Sequence, residues 1–262
     1  KLTLVNLLPD FIYKMLLNLR NAIRHKSIKI LNYDQKKDFE INNRKLKELN
    51  LDPLYISSTL KDNGVDYDNN RQSWHWHLFA GFSKNLANLK ILEIGTHKGE
   101  FTNFLSKIFK DSQIDSIDLH HEDQRFINSY KRQNNEFRSN FLKERNKFID
   151  KKNINFFEMD SIDLLNTFEL DTYDIIWLDG NHTNPQVNMD IISSFFLLKK
   201  GGIFISDDIF LSNKTKDFKK CQGADGIKLL TDLKKLNTHY IIKRCHQKNA
   251  FNKKYISVSI KQ

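Results

Sequence analysis

The chain has 262 residues, of which 39% are hydrophobic and 28% are charged, with a net charge of +10. This composition is typical of a globular protein with a full core and excludes a disordered chain. No apolar run reaches the roughly 20 residues of a membrane span, and the apolar opening segment is interrupted by charges and resembles no cleavable secretory signal. Two cysteines give neither a disulfide framework nor a CxxC metal pair, so we expect a reducing, cytoplasmic setting.

The positive charge is concentrated in the last part of the chain. Residues 212–262 contain thirteen Lys and Arg against three Asp and Glu, so the remaining residues are balanced. Such a segment can form a basic face for an anionic substrate, a nucleic acid or a membrane surface. Charge runs are weak signals, and we favour a solvated surface over a binding face.

Residues 1–89 are predicted to be helical, because they lack strand-like apolar blocks. One amphipathic segment begins at Pro9–Asp10, a second spans 34–49, and a third begins at Asp52–Pro53, where Asp can cap the helix and Pro suits its first position. We expect the apolar stripe of the first segment to pack on the core or on a second copy of the chain. Contact with a membrane surface is the less favoured alternative.

An aromatic helix is predicted over residues 73–89. His75 and His77 lie two residues apart, so they point to different sides of a helix and are poorly placed to share a metal ion. Trp74 and Trp76 are interpreted mainly as packing residues. A position of either histidine over a ligand pocket is the less favoured alternative.

The stretch Lys90–Gly99, KILEIGTHKG, is predicted to be the centre of the fold. A short buried strand is followed by a loop with Gly95 and Gly99, and residues 100–110 continue with helical spacing. Such a loop brings a ligand against backbone amides at a helix N-terminus. The GxxxG spacing differs from the GxGxxG of dinucleotide binders and from phosphate loops, which disfavours a nicotinamide-dependent reductase and a nucleotide triphosphatase.

Further strands are predicted within 113–123, 154–165, 173–182 and 201–210, with helices between them, a long one over 123–152. Two final strands, HYIIKRC and YISVSI, are predicted to form an antiparallel pair. The pattern indicates an α/β fold with a doubly wound, mostly parallel seven-stranded sheet. In such sheets ligands bind beyond the carboxyl ends of the strands.

Polar residues follow several of these predicted strands. Asp118 ends the second strand, where a carboxylate can accept hydrogen bonds from both hydroxyls of a ribose. The third strand ends at Asp160 and Ser161. The fourth and fifth are followed by Asp179, Asn181 and His182, and by Asp207 and Asp208.

In this order the residues resemble the class I S-adenosylmethionine-dependent methyltransferases, a Rossmann-like fold, over about residues 73–260. The resemblance implies S-adenosyl-L-methionine as methyl donor and a methyltransferase domain at 73–262, preceded by a helical N-terminal extension at 1–72. It implies that the glycine loop passes under the amino-acid end of the donor and that Asp118 binds its ribose. The implied donor-binding residues are Glu93, Gly95, Thr96, Gly99, Asp118, Asp160, Ser161 and Asp179.

A narrower resemblance concerns the catechol-type and macrocin-type O-methyltransferases. It implies that Asp179, Asp207 and Asp208 hold Mg²⁺ or another divalent cation, which would orient the hydroxyl of a small-molecule or glycan acceptor. His182 occupies the position of the lysine base of catechol-type enzymes, so we expect His182 and Asp179 to be catalytic. Three carboxylates converging without a cation would repel one another, which favours the metal.

Two alternatives remain open. The basic C-terminal segment allows a nucleic-acid methyltransferase, although the sequence shows no N/D-P-P-Y/F-type motif or RNA-binding module. A non-catalytic scaffold protein could use the same sheet and assemble through its N-terminal helices.

Overall fold

The computed structural model describes residues 35–65, 73–211, 221–245 and 253–262, together with helical positions 12, 15, 18 and 19. The amphipathic segment predicted from Pro9 otherwise lies outside these residues. The sequence also predicts a loop over residues 61–70, of which residues 66–70 lie outside the described residues. Among the described helices, none combines the length and the apolarity that crossing a bilayer requires.

Seven strands form a single sheet in the order β3-β2-β1-β4-β5-β7-β6. Strands β1 to β5 are parallel to one another, and β7 runs antiparallel to both β5 and β6. This confirms the predicted doubly wound sheet with a terminal antiparallel pair. The strands are β1 (Lys90–Ile94), β2 (Gln113–Asp118), β3 (Ile154–Glu158), β4 (Tyr173–Leu178), β5 (Leu198–Ile209), β6 (Leu236–Ile242) and β7 (Tyr255–Lys261).

Helices flank both faces of the sheet. Each face carries its own cluster of buried apolar side chains, so the central strands are buried on both sides. The helices are α1 (Gln35–Glu48), α2 (Pro53–Asp62), α3 (His75–Phe82), α4 (Glu100–Ile108), α5 (Gln124–Ile127), α6 (Asn135–Ile149), α7 (Leu164–Thr167), α8 (Gln186–Leu197) and α9 (Gly223–Asp232).

The helices before the glycine loop belong to the same core as the sheet. Leu46, Ile56 and Leu60 are buried in one cluster with Trp74 and Phe79. As predicted, Asp52 caps α2 by accepting a hydrogen bond from the backbone N–H of Leu54. The domain boundary placed after residue 72 stays a prediction.

Helix α1 also covers the edge of the sheet. The fully buried Asn42 donates to the carbonyl of Ile242 at 2.8 Å and accepts from the N–H of the same residue at 2.9 Å. One amide side chain therefore satisfies both free backbone groups of a residue on the edge strand β6.

The long helix predicted over 123–152 is wrong in its extent, because the segment forms two helices. Asp123 caps α5 and Asn134 caps α6, each with a side-chain oxygen that accepts a backbone N–H. Between the two helices Tyr130 and Lys131 adopt left-handed φ angles of 50° and 67°. The predicted aromatic helix is also shorter than expected and ends at Phe82.

Candidate functional site

A cavity of about 830 Å³ opens at the carboxyl ends of β1, β2 and β4. Its wall includes the glycine loop, the ends of three parallel strands, helix α3 and the segment between α5 and α6. In a doubly wound sheet this is the expected position of a ligand. Among the predicted site residues, those on its wall are Glu93, Gly95, Thr96, Asp118, Asp160, Ser161, Asp179 and His182.

The glycine loop lies directly against the end of β4. Gly95 has a φ of +105°, and a Cβ atom there would lie 2.5 Å from the carbonyl oxygen of Asp179. Any side chain would therefore force the two loops apart. Gly99, with φ +78°, packs under α6 and does not line the cavity.

Glu93 is buried below the loop and does not face bulk water. It accepts hydrogen bonds from the hydroxyls of Thr102 and Ser116, and Ser116 also contacts the hydroxyl of Thr96. Burial raises the pKa of Glu93 to about 7. This network ties β1, β2 and α4 together and fixes the loop above it.

Asp118 ends β2 with its carboxylate at the cavity. Its oxygens accept from the backbone N–H groups of His97 and Leu119, each at 2.8 Å. Burial raises the pKa of Asp118, and these two hydrogen bonds oppose that shift. The carboxylate is thus held in one orientation, and its remaining lone pairs can accept hydrogen bonds from a diol.

Asp160 and Ser161 follow β3 on the same wall. Asp160 accepts from Arg125 at 2.7 Å and caps a short 3₁₀ helix through the N–H of Ile162. Ser161 accepts from Gln186 at 2.7 Å. Both side chains are therefore fixed by neighbours from other elements.

Asp179 and His182 face each other after β4, with His182 Nε2 at 3.4 Å from Asp179 Oδ1. Burial and the nearby Asp207 raise the pKa of Asp179 to about 6. Burial alone would lower the pKa of His182, but Asp179, Asp208 and Asp207 raise it above its ordinary value. Both groups of this pair therefore keep their protons to a higher pH than they would in water.

Asp207 and Asp208 lie behind the cavity wall rather than on it. Asp208 has a left-handed φ of 56°, and the pairing of β5 with β7 shifts register between Ser206 and Ile209. Successive strand residues normally point to opposite faces, and this bulge allows both carboxylates to turn toward Lys243. Lys243 donates to both, and Lys254 donates to Asp208.

The electrostatic argument for a metal ion therefore changes. Repulsion among Asp179, Asp207 and Asp208 is relieved by two lysines that sequence patterns did not connect to the site. The charge of Lys243 lowers the pKa of Asp207 and of Asp208, although burial opposes it. One oxygen of Asp207, Oδ1, is buried without a hydrogen-bond partner.

Two groups of described side chains have the spacing of a metal site. In the first, Asp179, His182 and Asp207 each offer one ligand atom within 4.8 Å of the others. The second consists of His120, His121 and Glu158, and there the buried Arg145 already donates to Glu158 at 2.6 Å. Asp208, the third predicted ligand, belongs to neither group.

The sequence placed His75 over a ligand pocket only as a less favoured alternative and interpreted Trp76 mainly as a packing residue, yet both line the cavity. Tyr130, Arg132 and Arg244, which the sequence did not single out, line it as well. Trp76 also packs on Phe101 and Phe104, so its predicted packing role is only part of what it does. The pattern WHWH carried a signal for α3, whereas nothing in the sequence connected Lys243 and Arg244 to this site.

Comparisons with known proteins agree with this geometry. Residues 92–209 match the model of a methyltransferase domain family. No curated protein matches the chain. Among solved structures, a protein provisionally assigned as an O-methyltransferase from Klebsiella pneumoniae is 14% identical, with a TM-score of 0.50, over 85% of this chain and 96% of its own. A protein provisionally assigned as a caffeoyl-CoA O-methyltransferase from Staphylococcus aureus is 15% identical, with a TM-score of 0.48, over 97% of this chain and 100% of its own.

Proposed function

We propose that the chain is an S-adenosylmethionine-dependent methyltransferase that methylates a hydroxyl group of a small molecule or saccharide. The proposal is supported by the match of residues 92–209 to a methyltransferase domain family and by the strand order of the sheet. The observation that carries the proposal is the cavity itself. Gly95, Asp118 and Asp179 rim a single space of about 830 Å³ at the carboxyl edge of the sheet. A donor can lie from Asp118 across the glycine loop, with its methyl group directed toward Asp179 and His182.

The donor half of the proposal is tested by binding. Asp118→Asn keeps the shape of the side chain but removes its charge. We expect the affinity for S-adenosylhomocysteine to fall by roughly tenfold or more, because a hydrogen bond to a charged group contributes about 1.5–3 kcal/mol. Isothermal titration of the full chain measures it. Asp111→Asn, an exposed position before the same strand, is the matched control. Equal affinities for the wild type and Asp118→Asn would refute the assignment.

The reaction needs mainly alignment, because methyl transfer from a sulfonium is an in-line displacement. As the acceptor oxygen bonds to the methyl carbon, the carbon–sulfur bond breaks and its electron pair stays on sulfur. The acceptor proton must leave. We propose that His182, whose imidazole is oriented by Asp179, accepts this proton as the general base.

A divalent cation is the second part of the proposal. The residues fit it: Asp207 Oδ1 is a buried, unpartnered acceptor, and Asp179 and His182 lie within 4.8 Å of Asp207. The carboxylates of Asp179 and Asp207 suit Mg²⁺ or Mn²⁺, and His182 beside them is assigned to the proton rather than to the ion. When bound, such an ion would lower the pKa of a coordinated hydroxyl. Asp208 is held by its lysines and contributes charge.

EDTA treatment separates the metal from the methyl transfer. We expect loss of S-adenosylhomocysteine formation with a panel of catechols and saccharides after EDTA, and recovery with Mg²⁺ or Mn²⁺. Turnover that is unchanged in EDTA would remove the metal and leave the methyltransferase.

His182→Ala distinguishes a base from a ligand. If His182 is the base, turnover falls while Mn²⁺ affinity, measured by electron paramagnetic resonance, stays within a factor of two. If it is a ligand, Mn²⁺ affinity falls at least tenfold. Only the first result supports the role proposed here.

A further inference from the structure

The buried and half-buried acids of the cavity wall are already committed to partners within the protein. Glu93 accepts from two hydroxyls and Asp118 from two backbone amides. Asp160 is bound by Arg125, and Asp179 faces His182. Glu100, the remaining acid of the wall, is exposed in the first turn of α4. The wall therefore offers no internal anion to a further cation.

Arg244 is a further cation on the wall of this cavity. It follows Lys243, whose ammonium group holds Asp207 and Asp208, and its side chain lines the cavity. Its Nε atom is buried without a hydrogen-bond partner, and among the described residues the side chain forms no ion pair. By contrast, Arg125 is paired with two aspartates, and Arg132 lies over the ring of Phe126 at 3.7 Å.

The residues around Arg244 can bind a polar group of a ligand. His75, on the same wall, has a buried Nδ1 without a partner. Burial lowers the pKa of His75 to about 3, so the ring stays neutral and can donate or accept one hydrogen bond. Trp76 and Phe101 complete this end of the cavity with apolar surface. A guanidinium that is partly desolvated is costly unless an anion pairs with it.

The position along the sheet separates Arg244 from the ribose end. Asp118 follows β2, whereas Arg244 follows β6, five strand positions further in the order. At about 4.8 Å per strand the two backbones are roughly 24 Å apart. Asp179 and His182 follow β4, between them. A donor that spans from Asp118 to Asp179 leaves Arg244 on the side of the incoming acceptor.

We propose that Arg244 binds an anionic group, a carboxylate or a phosphate, carried by the methyl acceptor. The inference rests on the proposed function and deepens it: the acceptor is an acidic compound, such as a uronic acid or a phosphorylated sugar, rather than a neutral one. A guanidinium pairs with either group through two parallel hydrogen bonds. The donor's own carboxylate is the other source of the same chemistry.

The test uses the full chain saturated with S-adenosylhomocysteine, which fills the donor position, and inorganic phosphate as the probe. We expect isothermal titration to show millimolar phosphate binding that weakens at least tenfold in Arg244→Gln. Arg244→Lys, which keeps the charge, should retain most of it. Arg138→Gln, an arginine of α6 outside the cavity, should bind phosphate as the wild type does. Equal phosphate binding by Arg244→Gln and the wild type would overturn the proposal.

A second arm identifies the source of the anion. S-adenosylhomocysteine and 5′-methylthioadenosine, which lacks the amino-acid end, are each titrated into the wild type and into Arg244→Gln. Unchanged affinities for both compounds in Arg244→Gln support the acceptor assignment. A loss for S-adenosylhomocysteine alone assigns Arg244 to the donor and overturns it.

The two proposals fail in different ways. If the wild type binds no S-adenosylhomocysteine, the proposed function is refuted, and phosphate is then titrated into the unliganded protein. Binding there that depends on Arg244 supports the anion site alone, and its absence removes that site as well.

Discussion

Glu93 shows how one buried acid can serve position rather than chemistry. It lies under the glycine loop, and its hydrogen bonds from Ser116 and Thr102 join three elements. Its folded-state pKa of about 7 exceeds the ordinary value of 4.5. Between pH 4.5 and 7 the folded state therefore binds more protons than the unfolded state, and the stability contribution of this group falls as pH rises.

Glu93→Gln is expected to remove that pH dependence. The amide oxygen of Gln can accept the same hydroxyl hydrogen bonds and carries no charge. The variant should be more stable than the wild type at pH 8, by at most about 3 kcal/mol, and similar to it at pH 4.5. Urea unfolding at the two pH values measures this. A stability difference that does not change with pH would contradict the assignment.

Gly95→Ala tests the close approach of the glycine loop to β4. An added Cβ would lie 2.5 Å from a carbonyl oxygen, so we expect both unfolding free energy and S-adenosylhomocysteine affinity to fall. Gly201→Ala is the matched control, because Gly201 has a φ of +78° but no atom within 4 Å of the added Cβ. It should cost only about 1 kcal/mol of stability and leave affinity unchanged. Similar losses in the two variants would attribute the effect to φ alone.

At the scale of elements, the sequence predicted the strands well and missed the contacts between distant segments. Apolar runs bounded by polar residues placed all five parallel strands and the final pair. The division of residues 123–152 was missed because Asn134 was not recognised as a helix cap. The link between Asn42 and Ile242 spans 200 residues, and no local pattern carries it.

The link between α1 and β6 predicts a specific loss of stability. Asn42→Ala would leave the N–H and carbonyl of Ile242 without partners, at a cost of roughly 2–5 kcal/mol. Asn43→Ala, a less buried position on the same helix, should change stability by less than about 1 kcal/mol. Thermal unfolding of both variants tests this, and comparable melting temperatures would refute it.

The residues of the candidate site likewise divide into those that the sequence predicted and those that it missed. Strand ends and glycines placed Gly95, Asp118 and Asp179 on one cavity, because parallel strands bring their carboxyl ends to one edge. Lys243 and Arg244 were missed because their strand joins the sheet by an antiparallel pairing late in the chain. Charge pairing across strands depends on register, which residue types alone do not fix.

At the scale of the whole molecule, much of the basic C-terminal segment is already used inside the protein. Lys243 and Lys254 pair with Asp207 and Asp208, Lys253 with Asp38, and Lys261 with Asp171. The lysines of residues 212–220 lie outside the described residues. The internal pairing favours a small acceptor over a nucleic acid.

We therefore expect weak binding of a 20-nucleotide RNA or duplex DNA. A filter-binding assay at 50 mM and 200 mM salt should give no specific retention and only a shallow salt dependence. A loss of affinity of a thousandfold or more between the two salt concentrations would indicate several phosphate contacts and revive the nucleic-acid alternative.

The hydrogen bonds between α1 and the edge strand β6 also set an order of events during synthesis. Asn42 leaves the ribosome about 200 residues ahead of the strand that receives it. At 5–20 residues per second this is a wait of roughly 10–40 s. During that time α1 has no β6 edge to pack on, so the hydrogen bonds between Asn42 and Ile242 are among the last native contacts that the chain can form.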